Sequence, residues 1–239
     1  GKDKLVRLGD IAEVKRGLVT GLDSYLFLNE LKVKENKIEN IFLKKVLISP
    51  RQAIKHIIRE NKIDTYAIYT EEPKHAMKGT YLLEYLNDCE KRGALKRATA
   101  RDKNFWYTIR KQVVKYPCIA IPRAPYNRYP ILFILDNILI NDMVIIEPRN
   151  KKYSDIIFFL LVNTLGIFLL EITSRSNLGL GTLKFEKLDA VKYPIINPEF
   201  LSDDYRNKIH KHYDLFENRE INSIFTELGF DKTRPIREQ

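Results

Sequence analysis

The chain has 239 residues, and with 44% hydrophobic and 11% aromatic residues it has the composition of a folded globule, which excludes a disordered tail or linker. Its 41 Lys and Arg outnumber its 31 Asp and Glu, and the net charge of +10 is typical of a protein that contacts a polyanion. The two cysteines, Cys89 and Cys118, fit no metal-binding or redox spacing and exclude a disulfide-stapled fold, so we expect reduced thiols in a cytoplasmic protein.

The first predicted elements are two strands joined by a glycine-containing loop, within residues 5–28. In this entry loop, which runs from Arg16 to Gly21, Gly17 and Gly21 lie on either side of Thr20. Two glycines at this spacing indicate a backbone that passes where a Cβ does not fit. Arg16 is then placed to hold a phosphate or a carboxylate. The alternative is an ordinary hairpin turn, which the pattern alone favours.

The next part of the chain predicts short strands and two helices. Strands are expected at residues 46–48 and 65–69, the second because its side chains alternate. Residues 51–59 place their isoleucines on one face of a helix. A second helix, residues 80–97, has apolar side chains at three- and four-residue spacing and is limited by Gly93.

All of the surplus charge lies in residues 91–128, the basic segment. It holds 11 Lys or Arg and one acid, Asp102, which leaves 41 − 11 = 30 bases and 31 − 1 = 30 acids elsewhere. Its aromatic residues are Phe105, Trp106, Tyr107, Tyr116 and Tyr126. Cations interleaved with flat rings suit a nucleic acid, because Lys and Arg neutralise phosphates and rings stack on bases. The alternative is a basic helix surface with aromatic residues in the core.

Strands and one long helix are predicted after the basic run. Residues 116–122 predict a strand, and residues 131–146 predict two or three more, separated from it by a Pro- and Tyr-rich loop at 123–130, loop A. Residues 153–173 predict a single helix whose apolar run is shorter than the ~20 residues of a bilayer span, so we expect a core helix and no membrane association. A Gly- and Ser-rich loop with basic ends, loop B, follows at 174–184.

The C-terminal part has a different residue pattern. Residues 202–228 predict one or two amphipathic helices, with Ser202 as the N-cap. We therefore divide the chain into residues 1–201 and a helical extension, residues 202–239. Because the chain begins with Gly-Lys and has only two methionines, we expect it to be a piece truncated from a longer parent.

The sequence contains no set of residues that suits catalysis. Gly179 and Gly181 form a bare Gly-x-Gly without the strand and helix that a nucleotide-binding loop requires. His210 and His212 are two residues apart on a predicted helix and point in different directions, so we expect no metal site. These absences favour a binding module over an enzyme in its own right.

Four stretches, in this order, resemble a known family. They are the Arg-Gly-x-x-Thr-Gly entry of Arg16, Gly17, Thr20 and Gly21 followed by Phe27; the Tyr-Leu helix 81–92 leading through the basic run into 105–107; the Leu-Leu-Asn helix 160–170; and the closing strand 182–195. This order is similar to the C-terminal target-recognition region of gamma-class, TaqI-like DNA adenine-N6 methyltransferases, which also occurs in fused restriction–modification enzymes. The closing strand is also found in type I specificity subunits. The similarity spans residues 5–200.

The resemblance implies a fold and a function. We expect an α+β fold, with a mixed, mostly antiparallel sheet core and helices packed toward the C-terminal end, as in DNA methylase specificity domains. The implied function is sequence-specific recognition of double-stranded DNA for a site-specific adenine methyltransferase of a restriction–modification system. The alternative is a protein-docking specificity subunit of a type I-like complex, with residues 153–173 and 202–228 contacting the partner.

The catalytic half of such an enzyme is expected upstream of this chain. Residues 197–200 read Asn-Pro-Glu-Phe, so a glutamate replaces the second proline of the Asn-Pro-Pro-Tyr motif that gathers the target amine. The cofactor-binding glycine motif is also missing. We therefore expect no cofactor on this chain, no catalysis by it alone, and S-adenosylmethionine in an upstream methyltransferase domain that is its partner in the parent.

The DNA-binding residues are predicted in two groups. Phosphate contacts, which position the duplex without specifying sequence, are assigned to Lys96, Arg97, Arg101, Lys103, Arg110 and Lys111. Base contacts are assigned to Arg123, Tyr126, Asn127 and Arg128 in loop A and to Arg175, Ser176 and Asn177 in loop B, with Lys184 as a further DNA contact. Trp106 either stacks on a base or belongs to the core. Arg16 is expected to brace the entry loop.

Overall fold

The computed structural model describes residues 4–101, 104–175 and 182–228. The strands are β1 (Leu5–Arg7), β2 (Ala12–Arg16), β3 (Phe27–Asn29), β4 (Leu43–Leu47), β5 (Ile57–Ile58), β6 (Thr65–Ile68), β7 (Cys118–Pro122), β8 (Leu132–Ile134), β9 (Leu139–Ile140), β10 (Met143–Pro148) and β11 (Pro194–Ile196). The helices are α1 (Leu8–Ile11), α2 (Asp23–Leu26), α3 (Glu30–Glu35), α4 (Tyr81–Lys91), α5 (Ala98–Arg101), α6 (Ser154–Val162), α7 (Thr164–Thr173), α8 (Lys187–Lys192), α9 (Asp203–Asn218) and α10 (Ile224–Leu228).

A five-stranded sheet forms the centre of the fold, in the order β2-β10-β7-β8-β5. Its pairs are antiparallel except for β5 with β8. Both faces are buried: Ile119 and Ile121 of β7 pack into one core cluster, and Cys118 and Ala120 pack into another. This explains why the sequence of β7 is apolar at every position, because alternation requires a solvent-exposed face.

A four-stranded sheet, β3-β6-β4-β9, lies across the second of these clusters. Adjacent residues of β4 pack into different clusters. Leu47 packs toward the five-stranded sheet, and Val46 packs into a third cluster, which includes residues of α4. A separate antiparallel pair joins β1, near the start of the described chain, to β11 through Leu5 and Ile196. The mixed, mostly antiparallel α+β fold expected from the sequence is therefore confirmed.

Helices α6 to α9 cover the outer face of the five-stranded sheet. The N-cap expected at Ser202 is present, because its side chain accepts a hydrogen bond from the backbone N–H of Tyr205. In α9, Phe216 makes edge-on ring contacts with Phe158 and Phe159 of α6, with centroids 5.7 Å and 5.1 Å apart. Residues 203–218 thus pack on the same core as residues 154–162, and a domain boundary at residue 201 stays a prediction.

The helix predicted at residues 51–59 was wrong. The chain forms a short 3-10 turn at Pro50–Gln52 and then β5, in which Ile57 and Ile58 are both buried. A helix would bury Ile54 together with Ile57 and Ile58, but Ile54 is exposed, and two adjacent buried side chains suit a strand that is covered on both sides. Parallel pairing of β5 with β8 provides that environment.

The single helix predicted at residues 153–173 is two helices. The chain bends by 70° between α6 and α7, where Asn163 is extended and its side chain accepts a hydrogen bond from the backbone N–H of Gly166 at 2.8 Å. In the part of the chain that the structure describes, no single helix is long and apolar enough to cross a bilayer; this bent pair has the length and composition only when its two helices are taken together.

Candidate nucleic-acid interface

The basic segment begins where α4 ends. Gly93, at φ 97°, stops the helix, and the chain continues through a 3-10 turn (Ala94–Lys96) into α5. The described cations that were assigned to phosphates are all exposed, and no acid among the described residues pairs with any of them: Lys96, Arg97, Arg101, Arg110 and Lys111. Lys103 lies outside the described residues. Exposed cations without acidic neighbours are available to a polyanion.

Two aromatic residues of the segment, Trp106 and Tyr107, face inward. Trp106 is only 5% exposed, and its indole N–H donates to Glu90 Oε1 at 2.6 Å. Its ring meets that of Tyr25 edge-on, with centroids 6.3 Å apart. Tyr107 is buried and donates its hydroxyl to the carbonyl of Glu72. Of the two roles that the sequence left open for Trp106, the structure therefore shows a core residue rather than a base-stacking one.

The entry loop is held against the rest of the chain by close backbone contacts. The N–H of Gly17 donates to the carbonyl of Met143 at 2.7 Å, and a Cβ on Gly17 would lie 2.7 Å from the carbonyl oxygen of Ile140. At the other end, Gly21 has φ 66°, and a Cβ there would lie 2.5 Å from Thr99 Cγ2 of α5. The predicted role of the two glycines, a passage that leaves no room for a Cβ, matches these contacts.

Thr20 of the entry loop is held by hydrogen bonds to the residues that follow the loop. It is buried, its hydroxyl donates to Asp23, and the same oxygen accepts from the N–H of Leu22 at 3.0 Å. The basic segment also contacts Ile140, the residue that lies against Gly17. The side-chain amide of Gln112 donates to the carbonyl of Ile140 and accepts from its N–H, each at 2.9 Å. The entry loop thus lies between α5 and the strand region that carries loop A.

Loops A and B, which the sequence assigned separately, lie side by side. The N–H of Phe185 donates to the carbonyl of Arg123, and the N–H of Leu183 donates to the carbonyl of Pro125, at 2.9 Å and 3.0 Å. Arg175 and Lys184 pair as an isolated antiparallel bridge that closes loop B. Ser176 and Asn177, predicted to contact bases, lie outside the described residues.

A chain of ion pairs connects these loops to the entry loop. Arg123 contacts Asp142 with one nitrogen and Glu186 with another, the latter at 2.6 Å. Arg16 reaches the same Asp142 at 3.4 Å, and Lys184 lies 3.8 Å from Glu186. The hydrogen bond from Arg123 holds the pKa of the Glu186 carboxyl below its usual value. These four side chains and Asp142 form the ion-pair clamp.

The clamp changes the roles assigned from the sequence. Arg123 was predicted to read bases, but two carboxylates of the chain engage its guanidinium. Arg175, assigned to the same role, pairs with Asp189 at 2.8 Å. Arg16 pairs with Asp142, and its role in bracing the entry loop stays a prediction. No sequence pattern pointed to the acids involved, because each comes from a distant part of the chain.

The remaining base-reading candidates of loop A differ in exposure. Tyr126 is 60% exposed, and the side chain of Asn127 is exposed while its carbonyl accepts from the N–H of Ile224. Arg128 is half-buried; one terminal nitrogen donates to the carbonyl of Ala53 at 3.0 Å, and its Nε is buried without a partner among the described residues. Tyr126 and Asn127 are thus presented to solvent, and Arg128 lines the floor beneath them.

Within the described residues, no cluster of three or more His, Cys, Asp or Glu side chains has the geometry to hold a metal ion. Burial raises the pKa of the Cys89 and Cys118 thiols, which disfavours the reactive thiolate. Asn197 uses its side-chain oxygen to cap the turn Pro198–Phe200, accepting from the N–H of Glu199 at 3.1 Å.

Comparisons with known proteins identify the family and the fold. A family model, described as the C-terminal domain of the Type II methyltransferase M.Eco57I, matches residues 1–229. No curated protein matches the chain. The type IIG restriction endonuclease BpuSI has a similar structure, with a TM-score of 0.68 and 14% identity over 93% of this chain and 27% of its own.

The type IIL restriction-modification enzyme MmeI, solved in complex with DNA, is also similar, with a TM-score of 0.52 and 12% identity over 78% of this chain and 25% of its own. The chain therefore spans about a quarter of the length of each of these two enzymes. At such identities the two structures show a shared fold. The family match, which extends over nearly the whole chain, shows more: the chain belongs to the family of the C-terminal domain of the Type II methyltransferase M.Eco57I.

Proposed function

We propose that the chain is the target-recognition domain of a gamma-class, TaqI-like adenine-N6 methyltransferase in a restriction–modification enzyme. In this function it grips double-stranded DNA and reads its sequence. The observation that carries the proposal is the set of exposed cations along residues 96–111, which no described acid neutralises and which border the entry loop. The family match and the DNA in the structure of MmeI support the same function.

Methyl transfer is assigned in this proposal to an upstream domain that binds S-adenosylmethionine. This chain is expected to bind no cofactor and to leave the target amine to the upstream domain, which agrees with Asn197, in the stretch most like the amine-gathering motif, using its side chain to cap a turn. Gly179 and Gly181 lie outside the described residues. The partners are therefore double-stranded DNA and the upstream methyltransferase domain, in the cytoplasm.

The cations and loop A have different tasks in this function. Arg101 contacts a phosphate, so Arg101→Ala weakens binding of the full-length protein to matched and mismatched duplexes alike. The slope of log K against log salt then falls by about 0.9 for each phosphate that the protein no longer neutralises. Asn127 contacts a base edge, so Asn127→Ala leaves the slope unchanged and removes about 1–3 kcal/mol of discrimination.

The measurement is a salt titration of fluorescence anisotropy, with a duplex that carries the protein's methylation site and one with a single base pair changed. Lys62→Ala, which removes an exposed cation from a turn outside the basic segment, is the control and leaves both quantities unchanged. If Arg101→Ala and Asn127→Ala have the same effect on both duplexes, the division of tasks is wrong.

A protein-docking module is the second candidate, and one surface favours it. Leu165, Phe168 and Ile172 lie at helical spacing on α7, and more than half of each side chain is exposed. The same titration separates the candidates, because a pure docking module has little affinity for either duplex at low salt.

A further inference from the structure

A cavity lies beneath loop A, where the turn at Pro50–Gln52 meets residues 122–130. Its volume is about 200 Å³, and its apolar walls are four prolines and Ala124. The mouth is at the surface, since Arg51, Ala124 and Tyr126 are exposed. A space of this size is smaller than the pockets of drug-sized ligands, which measure about 300–1,000 Å³, and so it suits one small planar group.

Four side chains of the cavity can donate hydrogen bonds: the Tyr126 hydroxyl and the N–H groups of Arg51, Asn127 and Arg128. Arg128 Nε is buried and has no partner within the described ranges, although a terminal nitrogen of the same side chain donates to Ala53. Asn127 lines the cavity with an exposed carboxamide. Arg51 stands at its mouth, and no described acid pairs with it. A buried N–H without an acceptor is costly, and a ligand that supplies an acceptor removes that cost.

The chemistry of these walls fits a nucleobase better than a bare phosphate. Prolines, an alanine and the Tyr126 ring provide flat apolar surface, on which a base stacks and a dianion loses its hydration without compensation. Base edges carry carbonyl and ring-nitrogen acceptors, which match the N–H groups of Asn127 and Arg128. Arg51, at the mouth, is placed for the phosphate that accompanies the base.

We propose that this cavity binds a single nucleotide outside a base stack, with its ring against Tyr126 and the prolines and its phosphate at Arg51. The inference rests on the proposed function, because loop A lies on the face assigned to DNA. It adds a site for an extrahelical nucleotide, distinct from the target adenine, which enters the catalytic domain. A nucleotide of the bound DNA and a free nucleotide share this chemistry, and the experiment distinguishes them.

The first arm uses DNA. The full-length protein is titrated with a labelled duplex and with the same duplex carrying one unpaired, bulged nucleotide, whose base is already outside the stack. We expect the bulged duplex to bind at least about fivefold more tightly, the lower end of what stacking one base on an aromatic ring contributes. Ala124→Phe, which fills the cavity from an exposed position, abolishes this preference, so that the variant binds the bulged and the paired duplex with equal affinity.

Two further variants guard against an indirect effect of the phenylalanine. Arg51→Ala weakens the preference by removing the phosphate contact, and Lys62→Ala, a matched loss of one exposed cation from a neighbouring turn, does not. Melting curves of the three variants check that each is folded.

The second arm titrates the protein with dAMP, dCMP, dGMP and dTMP by calorimetry. Binding that Ala124→Phe abolishes, without a preference for the bulged duplex, assigns the cavity to a free nucleotide. If neither the bulge nor any mononucleotide responds to Ala124→Phe, the inference is overturned. Failure to bind the paired duplex refutes the proposed function instead, and the mononucleotide arm still tests the cavity.

Discussion

Gly21 joins the entry loop to the basic segment, and this contact tolerates no larger residue. Its φ is 66°, and an added Cβ would lie 2.5 Å from Thr99 Cγ2 and 2.7 Å from Thr99 Oγ1. We expect Gly21→Ala to lower the free energy of unfolding by about 2 kcal/mol or more, because the left-handed backbone alone costs about 1–2 kcal/mol and the clash adds to it. Urea denaturation measures the loss.

Gly79 provides the matched control. Its φ is 83°, and a Cβ there meets nothing within 4 Å, so Gly79→Ala has the backbone cost without the clash. Combining Gly21→Ala with Thr99→Gly removes the clash and returns the loss to the level of Gly79→Ala. Equal losses for the two single glycine variants would show that the entry loop and α5 are not tightly packed.

The sequence indicated a close backbone passage for these glycines as one of two interpretations, and it left the role of Trp106 open. Glycine spacing is local information, and the conformation it permits is a property of a few neighbouring residues. The environment of Trp106 instead depends on Glu90 and Tyr25, which lie 16 and 81 positions earlier in the chain and which only the fold brings together. A tryptophan among cations therefore looks the same in the sequence whether it faces a base or the core.

At the scale of elements, the sequence pattern predicted most strands and amphipathic helices, including the fully buried strands β7 and β10, and failed at two segments. The helix predicted at 80–97 is present as Tyr81–Lys91, with Thr80 as its N-cap. The helix at residues 51–59 was wrong because isoleucines at helical spacing also fit a strand that leaves Ile54 exposed and buries Ile57 and Ile58. The single helix at residues 153–173 was wrong because a continuous apolar run does not show where one helix ends and the next begins. Tertiary packing decided both cases.

Asn163 fixes the break between α6 and α7. Its side chain caps α7 by accepting from the N–H of Gly166, so Asn163→Ala removes this bond and leaves that N–H without its acceptor. We expect the free energy of unfolding to fall by about 1 kcal/mol, the usual cost of losing an N-cap, which corresponds to about 2–4 °C in the melting temperature of a chain of this size.

Asn163→Asp is the control for this cap. A carboxylate accepts the same hydrogen bond and interacts favourably with the positive end of the helix dipole, so the melting temperature is expected to stay at the wild-type value or rise. If Asn163→Ala melts like Asn163→Asp, the bend is held by packing alone. Gly166 is then the residue responsible, because a Cβ there would lie 2.4 Å from the carbonyl oxygen of Leu160.

In the whole molecule, acids from outside the basic segment neutralise some of its cations and leave others without an acidic partner among the described residues. Asp142 and Glu186 engage Arg123, and Asp88 pairs with Arg92 at 2.8 Å. A sum of charges along the sequence cannot reveal this, since the acids lie up to 63 positions away. The described cations of residues 96–111, where the phosphate contacts were predicted, have no described acidic partner, and the same holds for Lys91, Lys115 and Arg128 of the segment.

The ion-pair clamp makes the arrangement of the loops depend on pH. Hydrogen bonding from Arg123 lowers the pKa of Glu186 in the folded protein, so the folded state holds fewer protons there than the unfolded chain does. The resulting stability is fully present above the ordinary glutamate pKa of about 4.3 and is lost as the pH falls through the lower, folded pKa. We expect Glu186→Gln to reduce the free energy of unfolding at pH 7 by about 1–2 kcal/mol, as for a hydrogen bond to a charged group.

Melting temperatures of the wild type and of Glu186→Gln, measured across acid and neutral pH, test this. The difference should be largest at neutral pH and vanish in acid, because a protonated Glu186 resembles the glutamine. Glu30→Gln is the control: Glu30 pairs with Lys34 at 2.6 Å, but both side chains are more than half exposed, so its loss should change the melting temperature little at any pH. A pH-independent difference for Glu186→Gln would mean that the side chain stabilises by packing and that the charge of the clamp does not hold loops A and B together.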